Sequence, residues 1–170
     1  MDVVTIGESM IVLTPTSDGF MRNASHFTKK IGGAESNVAV GLARLGHKAG
    51  WISMLGDDEF GKAILAFLKG ENVDVSQVTF DNEAPTGIYF KEPRRQNSTR
   101  VYYYRKDSAA SKLTPSHLQN EYISKAKYVH ITGITPALSE SCRETVFEMI
   151  KLAKQNGSII VFDPNLRTKL

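Results

Sequence analysis

The feature that most constrains this chain is an alternation of short apolar runs with amphipathic helical segments. The predicted strands are residues 3–6, 51–55, 75–80, 128–131 and 158–162, and the predicted helices are residues 38–45, 58–70 and 139–155. Runs of this length suit buried strands, and the helical segments repeat their apolar residues every three or four positions. Strands that alternate with helices favour a mostly parallel sheet covered on both faces. The sequence therefore predicts an α/β fold.

Two of the predicted helices carry recognisable end residues. Asp58 is placed to cap the start of the second helix, and Gly46 is placed to end the first. The second helix is expected to bury one stripe, formed by Phe60, Ile64, Phe67 and Leu68.

A pair of β-rich segments interrupts the alternation. Residues 86–92 and 99–106 flank a polar run at residues 93–98, which predicts a hairpin. Residues 14–31 lack a clear helical period and are expected to add strands to the same appendage. We therefore expect a small β lid built from residues 14–32 and 85–107, inserted in the α/β core.

Composition excludes several classes of protein. The net charge of +3 is too small to argue for a nucleic-acid partner, since a few arginines aimed at an anionic metabolite give the same balance. No apolar run approaches the length of about 18 residues that a membrane span needs. The single cysteine, Cys142, cannot form an intrachain disulfide and favours a cytoplasmic protein in which it is a bystander thiol.

Two glycines precede the first helix, in the string GGAESNVAVGLARLG at residues 32–46. Glycine lets a backbone approach a ligand closely, and a helix start offers N–H groups to oxygen-rich ligands. Asn37 lies in the first turn, where its amide can donate to and accept from sugar hydroxyls. A tight turn followed by a helix cap explains the same residues without a ligand.

The second strand of the hairpin presents two different faces. Val101, Tyr103 and Arg105 share one face, because side chains alternate along a strand, and Tyr102 and Tyr104 share the other. A guanidinium beside a phenol suits a carboxylate ligand. A solvated strand whose tyrosines pack on the sheet below fits the spacing equally well.

Several strings occur together and in order, and together they resemble the ribokinase-like (PfkB) carbohydrate kinases. They are GE at residues 7–8, the glycine-rich string at 32–46, LGDDEFG at 55–61, TG at 86–87 and DPNLR at 163–167. The resemblance covers essentially the whole chain, residues 1–170. It implies a ribokinase-like fold, ATP as phosphate donor and Mg²⁺ as its metal.

The string YYRKDSAAS at residues 103–111 is similar to a stretch of 2-keto-3-deoxygluconate kinases within that family. The resemblance implies that Tyr89, Tyr103 and Arg105 bind the sugar acid. The substrate-binding residues that it implies are Gly33, Ala34, Asn37, Tyr89, Tyr103, Arg105, Ile134 and Arg167.

Three further positions bear on the site. Arg167 follows the strand ending at Phe162, on the side where open α/β sheets bind ligands, and the resemblance places it near the sugar acid and the phosphate. Taken alone, Arg167 could equally be a surface charge. The resemblance places Asn165 towards the nucleotide. Val12 stands where ribokinases carry an aspartate that holds two hydroxyls, which argues against a ribose-type contact.

The family keeps its catalytic aspartate in a Gly-Ala-Gly-Asp segment, and this sequence contains none. We therefore expect no catalytic residue in this chain, a missing ATP-binding portion and no kinase activity from the chain alone. We also expect an apolar sheet edge that lowers solubility. The four histidines show no metal-ligand spacing. Lids in this family often pair between subunits, which implies a homodimer.

Three alternatives remain at this point. A fructokinase-like enzyme would act on a neutral sugar, and a sugar-binding module would lack catalysis altogether. A single-stranded nucleic acid binder would use the arginines and tyrosines of the hairpin as a stacking platform, although the α/β core would then have no role.

Overall fold

A computed structural model of the chain describes residues 1–94 and 98–166. Its strands are β1 (Val3–Ile6), β2 (Met10–Pro15), β3 (Phe27–Gly32), β4 (Ala49–Gly56), β5 (Val78–Asp81), β6 (Ile88–Pro93), β7 (Thr99–Tyr104), β8 (Tyr128–Thr132) and β9 (Ile159–Asp163). Its α-helices are α1 (Ala34–Arg44), α2 (Glu59–Gly70), α3 (Asn120–Ile123) and α4 (Glu140–Gln155). Short 3₁₀ turns cover Met21–Asn23, Ala109–Lys112, Pro115–His117 and Thr135–Ala137.

The core is one parallel sheet with the strand order β5-β4-β1-β8-β9. Helices α1 and α2 pack on one face, around the buried side chains of Trp51, Ile64 and Leu68. Helices α3 and α4 pack on the other face, around Val129 and Met149. The predicted α/β class, with a parallel sheet covered on both faces, is confirmed.

The helix ends also match the sequence. The side chain of Asp58 accepts a hydrogen bond from the backbone N–H of Gly61 at 2.7 Å and so caps α2. Gly46 follows α1 with a φ of +87°, a left-handed conformation that favours glycine. Phe60 and Phe67 were expected in the buried stripe of α2, and that expectation is wrong, since they are 37% and 39% exposed.

The stripe of α2 is rotated relative to the predicted one. Gly61, Ile64 and Leu68 are its buried residues, at spacings of three and four. Gly61 takes the place expected for Phe60 because the helix start lies directly against the turn after β4. The prediction placed Phe60 and Phe67 in the buried stripe because they are large and apolar, whereas they lie at its edge.

A second sheet has the order β3-β2-β6-β7 and projects from the core. β6 and β7 form the predicted antiparallel hairpin, with Tyr89 opposite Tyr103. β2 and β3 come from the segment without helical period and join the hairpin through the parallel β2–β6 pair. β2 already begins at Met10, so the sheet includes residues before position 14. We call this four-stranded sheet the lid.

Strand β9 lies at the end of the core sheet in the described part of the chain. Its side chains Ile159, Val161 and Phe162 are exposed, so the apolar edge expected from the sequence is present there. Low solubility stays a prediction. Among the described residues, no helix is both long enough and apolar enough to cross a membrane.

Candidate active site

A cleft of about 620 Å³ lies between the lid and the start of α1. It collects most of the residues that the sequence singled out. The predicted site residues that line it are Gly33, Ala34, Asn37, Tyr89, Tyr103, Arg105 and Ile134. The structure therefore brings the glycine-rich helix start and the hairpin face to one cavity.

Strand geometry explains why the aromatic residues share this cleft. Tyr89 on β6 and Tyr103 on β7 are direct partners in the hairpin, and their ring centroids lie 5.4 Å apart. Arg105 follows β7 on the same face, with its guanidinium carbon 5.6 Å from the Tyr103 ring. Tyr102 points to the opposite face and donates to Glu92 at 3.1 Å. The predicted alternation along β7 is confirmed.

The two glycines before α1 allow close approaches within the protein. A Cβ atom on Gly32 would lie 2.5 Å from the Tyr89 hydroxyl oxygen, and one on Gly33 would lie 2.5 Å from the carbonyl oxygen of Glu8. The φ of Gly33 is −171°, ordinary extended backbone, so space and not backbone strain requires glycine. The pair thus seats the helix start against the lid.

Only some of the charged residues that line the cleft were predicted from the sequence. Arg105 forms an ion pair with Glu8, and their side chains are only 12% and 1% exposed. The hydroxyl of Ser108 donates to the other Glu8 oxygen at 2.6 Å. Within the described residues, Arg105 Nε is buried and makes no hydrogen bond, and the terminal nitrogen that forms the ion pair with Glu8 is buried as well. Arg105 nevertheless lines the cleft with a side chain that is 12% exposed, so part of it is accessible to a ligand.

A second buried carboxyl, Glu35, lies in the first turn of α1. The hydroxyls of Thr132 and Thr135 donate to its Oε1 atom at 2.5 and 2.8 Å. Burial raises the pKa of Glu35 above 4.5, and these hydrogen bonds oppose the shift. Burial likewise raises the pKa of Glu8, opposed by the charge of Arg105 and the bond from Ser108. Both carboxyls thus favour their protonated form more than exposed glutamates do.

Replacing Glu35 with glutamine is expected to change how stability depends on pH. A folded-state pKa above the unfolded one stabilises the fold at low pH, and that stabilisation is lost as pH rises through the folded pKa. The amide oxygen of the new glutamine side chain can still accept from both threonines. Urea unfolding of wild type and Glu35→Gln at about pH 5 and about pH 8 should show a smaller fall in unfolding free energy for the variant. An equal or larger fall would contradict the buried-carboxyl assignment.

Two predicted site residues are not placed in the cleft. Asn165 has its side-chain amide 3.0 Å from Asp163 and does not line the cavity, so its role towards a nucleotide stays a prediction. Arg167 lies outside the described residues, and so does the expectation attached to it. Val12 is buried in the lid, paired with Lys30 and Tyr89.

The bystander interpretation of Cys142 agrees with its surroundings. It is fully buried in the first turn of α4, with its thiol 3.3 Å from the carbonyl oxygen of Ala110. Burial raises the pKa of the thiol, which disfavours the reactive thiolate. Among the described residues, no group of three or more His, Cys, Asp or Glu side chains could hold a metal ion.

Sequence reasoning missed three charged residues of the cleft: Glu8, Glu35 and Lys91. Lys91 could have been found, because it lies two positions after Tyr89 on the same face of β6. Glu8 and Glu35 lie within the strings GE and GGAESNVAVGLARLG, but no site role was assigned to them, since a glutamate after a strand or in a first helical turn is common on surfaces. Their importance comes from partners about a hundred positions away, Ser108 and Thr132 among them.

Comparison with known proteins agrees with this geometry. The 2-dehydro-3-deoxygluconokinase of Bacillus subtilis (strain 168) is 43% identical over 171 residues, covering 100% of this chain and 53% of that protein. The probable fructokinase-7 of Arabidopsis thaliana is 40% identical, covering 99% and 49%. The crystal structure of an uncharacterized sugar kinase from Pyrococcus horikoshii in complex with ATP has a TM-score of 0.89 at 35% identity, covering 98% and 54%.

The chain thus spans about half the length of the relatives that it matches. The family model described as pfkB family carbohydrate kinase matches residues 1–170. With the parallel sheet, the lid and the cleft between them, this match shows that the chain belongs to the PfkB family of carbohydrate kinases.

Proposed function

We propose that the parent protein transfers the γ-phosphate of ATP to 2-keto-3-deoxygluconate, and that this chain supplies the sugar-acid site. The observation that carries the proposal is the convergence of Asn37, Tyr103 and Arg105 on one cleft. A guanidinium matches a carboxylate, and the phenol and amide groups match hydroxyls. The 2-dehydro-3-deoxygluconokinase of Bacillus subtilis is 43% identical to the chain. Its name refers to the same sugar acid, because 2-dehydro and 2-keto denote the same group.

The charge balance of the cleft supports an anionic ligand. Lys91 and Arg105 face the cavity with Glu8 and Glu35. Glu8 is paired with Arg105, and Glu35 accepts from the hydroxyls of Thr132 and Thr135, so both carboxyls have partners within the protein. A bound carboxylate could therefore interact with the cations of Lys91 and Arg105 without facing an unpaired carboxyl.

The chain's own part in phosphoryl transfer is to hold the acceptor sugar. The reaction needs the acceptor hydroxyl and the γ-phosphate held in line, with charge neutralised around them. The described residues offer no acid or histidine cluster suited to Mg²⁺, so we assign the metal no residue here. Asn165 and Arg167 are proposed to lie towards the nucleotide and the phosphate, and a homodimer through the lid is proposed for the parent protein.

A neutral-sugar kinase is the second candidate, and one observation favours it. Arg105 is already paired with Glu8, so part of its charge is neutralised inside the protein. The fructokinase relative from Arabidopsis thaliana, at 40% identity, is almost as similar as the sugar-acid kinase. This candidate needs the cleft but no contact between Arg105 and a carboxylate of the ligand.

A substrate comparison on the full-length protein tests the proposal. With ATP and Mg²⁺ supplied, kcat/KM for 2-keto-3-deoxygluconate should exceed that for fructose by roughly a hundredfold or more, because a site built to bind a polar group of its substrate rejects an analogue that lacks that group. A preference for fructose would overturn the sugar-acid assignment. Sugar binding without ATP binding in calorimetry would instead favour a non-catalytic module. The 1–170 chain, freed of full-length enzyme, is expected to show no turnover.

A further inference from the structure

Glu8 occupies the junction of the core and the lid. In the described residues the chain passes four times between them: after β1, before α1, before β6 and after β7. Glu8 lies on the first passage and is 3% exposed. A Glu at this depth is unusual unless its carboxyl is paired.

Glu8 touches each of the other three passages. Its carbonyl oxygen faces Gly33, where a Cβ atom would come within 2.5 Å. Its Oε1 atom faces Gly87, where a Cβ atom would come within 2.7 Å. The same Oε1 accepts from Ser108, and Oε2 pairs with Arg105. The glycine at 87 thus leaves room for this carboxyl.

The ion pair fixes the direction of the guanidinium. Glu8 pairs with one terminal nitrogen of Arg105, and both this nitrogen and Nε are buried, so the ion pair fixes the inner side of the guanidinium. Tyr103 flanks the guanidinium 5.6 Å from its ring centroid. Arginine has many rotamers, and holding it in one of them removes an ordering cost from ligand binding.

We propose that Glu8 is the positioning residue of the sugar-acid site: its ion pair holds the Arg105 side chain in the orientation in which the accessible part of that side chain faces the ligand. The inference rests on the proposed function, because it names how that same site recognises an acid. If Glu8 only stabilised the junction of core and lid, apolar side chains would do so equally well, since a buried ion pair is often no more stabilising than a packed apolar cluster. The carboxylate is useful here because it holds the Arg105 guanidinium in one orientation.

A double-mutant cycle in the full-length protein tests whether Glu8 acts through Arg105. Glu8→Gln keeps the shape and the capacity to bond Ser108 but removes the charge that holds the guanidinium. We expect it to raise KM for 2-keto-3-deoxygluconate about tenfold, the scale of one charge-assisted hydrogen bond, with KM for ATP unchanged. In an Arg105→Ala background the same change should alter KM by less than about twofold, because interacting residues are not additive.

Glu92→Gln is the matched control. Glu92 is also a buried lid glutamate, and Arg94 and Tyr102 donate to it at 2.8 and 3.1 Å, but it does not line the cleft. It should leave KM for the sugar acid unchanged. Ser108→Ala, which keeps both charges and removes one support of Glu8, is the milder second variant and should raise KM in the same direction. If Glu8→Gln does not fold, the KM of Ser108→Ala for the sugar acid tests the positioning role instead.

Three results separate the outcomes. A wild-type KM in both Glu8→Gln and Ser108→Ala overturns the positioning role while leaving the proposed function intact. An equal effect of Glu8→Gln with and without Arg105 also overturns it, since Glu8 would then act independently. Wild-type protein that does not turn over the sugar acid refutes the proposed function itself.

Discussion

Replacing Arg105 with alanine in the full-length protein is expected to weaken binding of the sugar acid by about 1.5–3 kcal/mol, or roughly 10- to 150-fold. The loss is large because the variant removes a charged donor and leaves Glu8 buried without its ion-pair partner. Calorimetry with 2-keto-3-deoxygluconate measures the affinity, and steady-state kinetics should show the change mainly in KM.

Two comparisons make the Arg105 result specific. Arg105→Lys keeps the charge but loses the planar fork, and we expect a loss between those of wild type and alanine. The loss should be much smaller for a neutral sugar, which has no carboxylate for the guanidinium to meet. Unchanged affinity for the acid in Arg105→Ala, with an intact fold by thermal unfolding, would favour the neutral-sugar kinase.

The sequence was sufficient for the fold because its local patterns agree with one another. The apolar run at Val3–Ile6, the helix stop at Gly46 and the cap at Asp58 all lie where the structure has them. These features depend on neighbours within a few positions. The orientation of α2 was the exception, because the burial of Gly61 depends on the turn after β4 and not on the helix's own period.

The part of the site that lies on the hairpin could be predicted, because side chains alternate between the two faces of a strand. Tyr103 and Arg105 had to share a face of β7, and the structure places that face in the cleft beside Asn37. The ion pair between Glu8 and Arg105 was not predictable, since it joins residues far apart in sequence and needs the relative placement of the two sheets. The sequence predicted Arg105 as a receptor for a carboxylate without indicating a partner inside the protein, and the structure pairs it with Glu8.

The turn between β4 and α2 offers a test of how the core supports the lid. Gly61→Ala is expected to lower the unfolding free energy by about 2–3 kcal/mol, because overpacking against fixed backbone has no flexible neighbour to absorb it. The new Cβ would press on the carbonyl oxygen of Gly56 and lie 2.9 Å from the Thr86 hydroxyl. That hydroxyl accepts from the Gly56 N–H at 3.0 Å, and the Thr86 N–H donates to Asp58 at 2.8 Å.

Gly70→Ala is the matched control for this effect, because Gly70 ends the same helix and a methyl group added there would meet nothing within 4 Å among the described residues. It should be neutral or stabilise by up to about 1 kcal/mol, since alanine favours helix more than glycine does. Urea unfolding of the two full-length variants measures both changes in unfolding free energy, provided that their m-values agree. Because Thr86 begins the passage into β6, Gly61→Ala should also raise KM for the sugar, whereas Gly70→Ala should not. Equal stability of the two variants would show that the turn can yield, and that the glycine at 61 is not required by the close approach to Gly56.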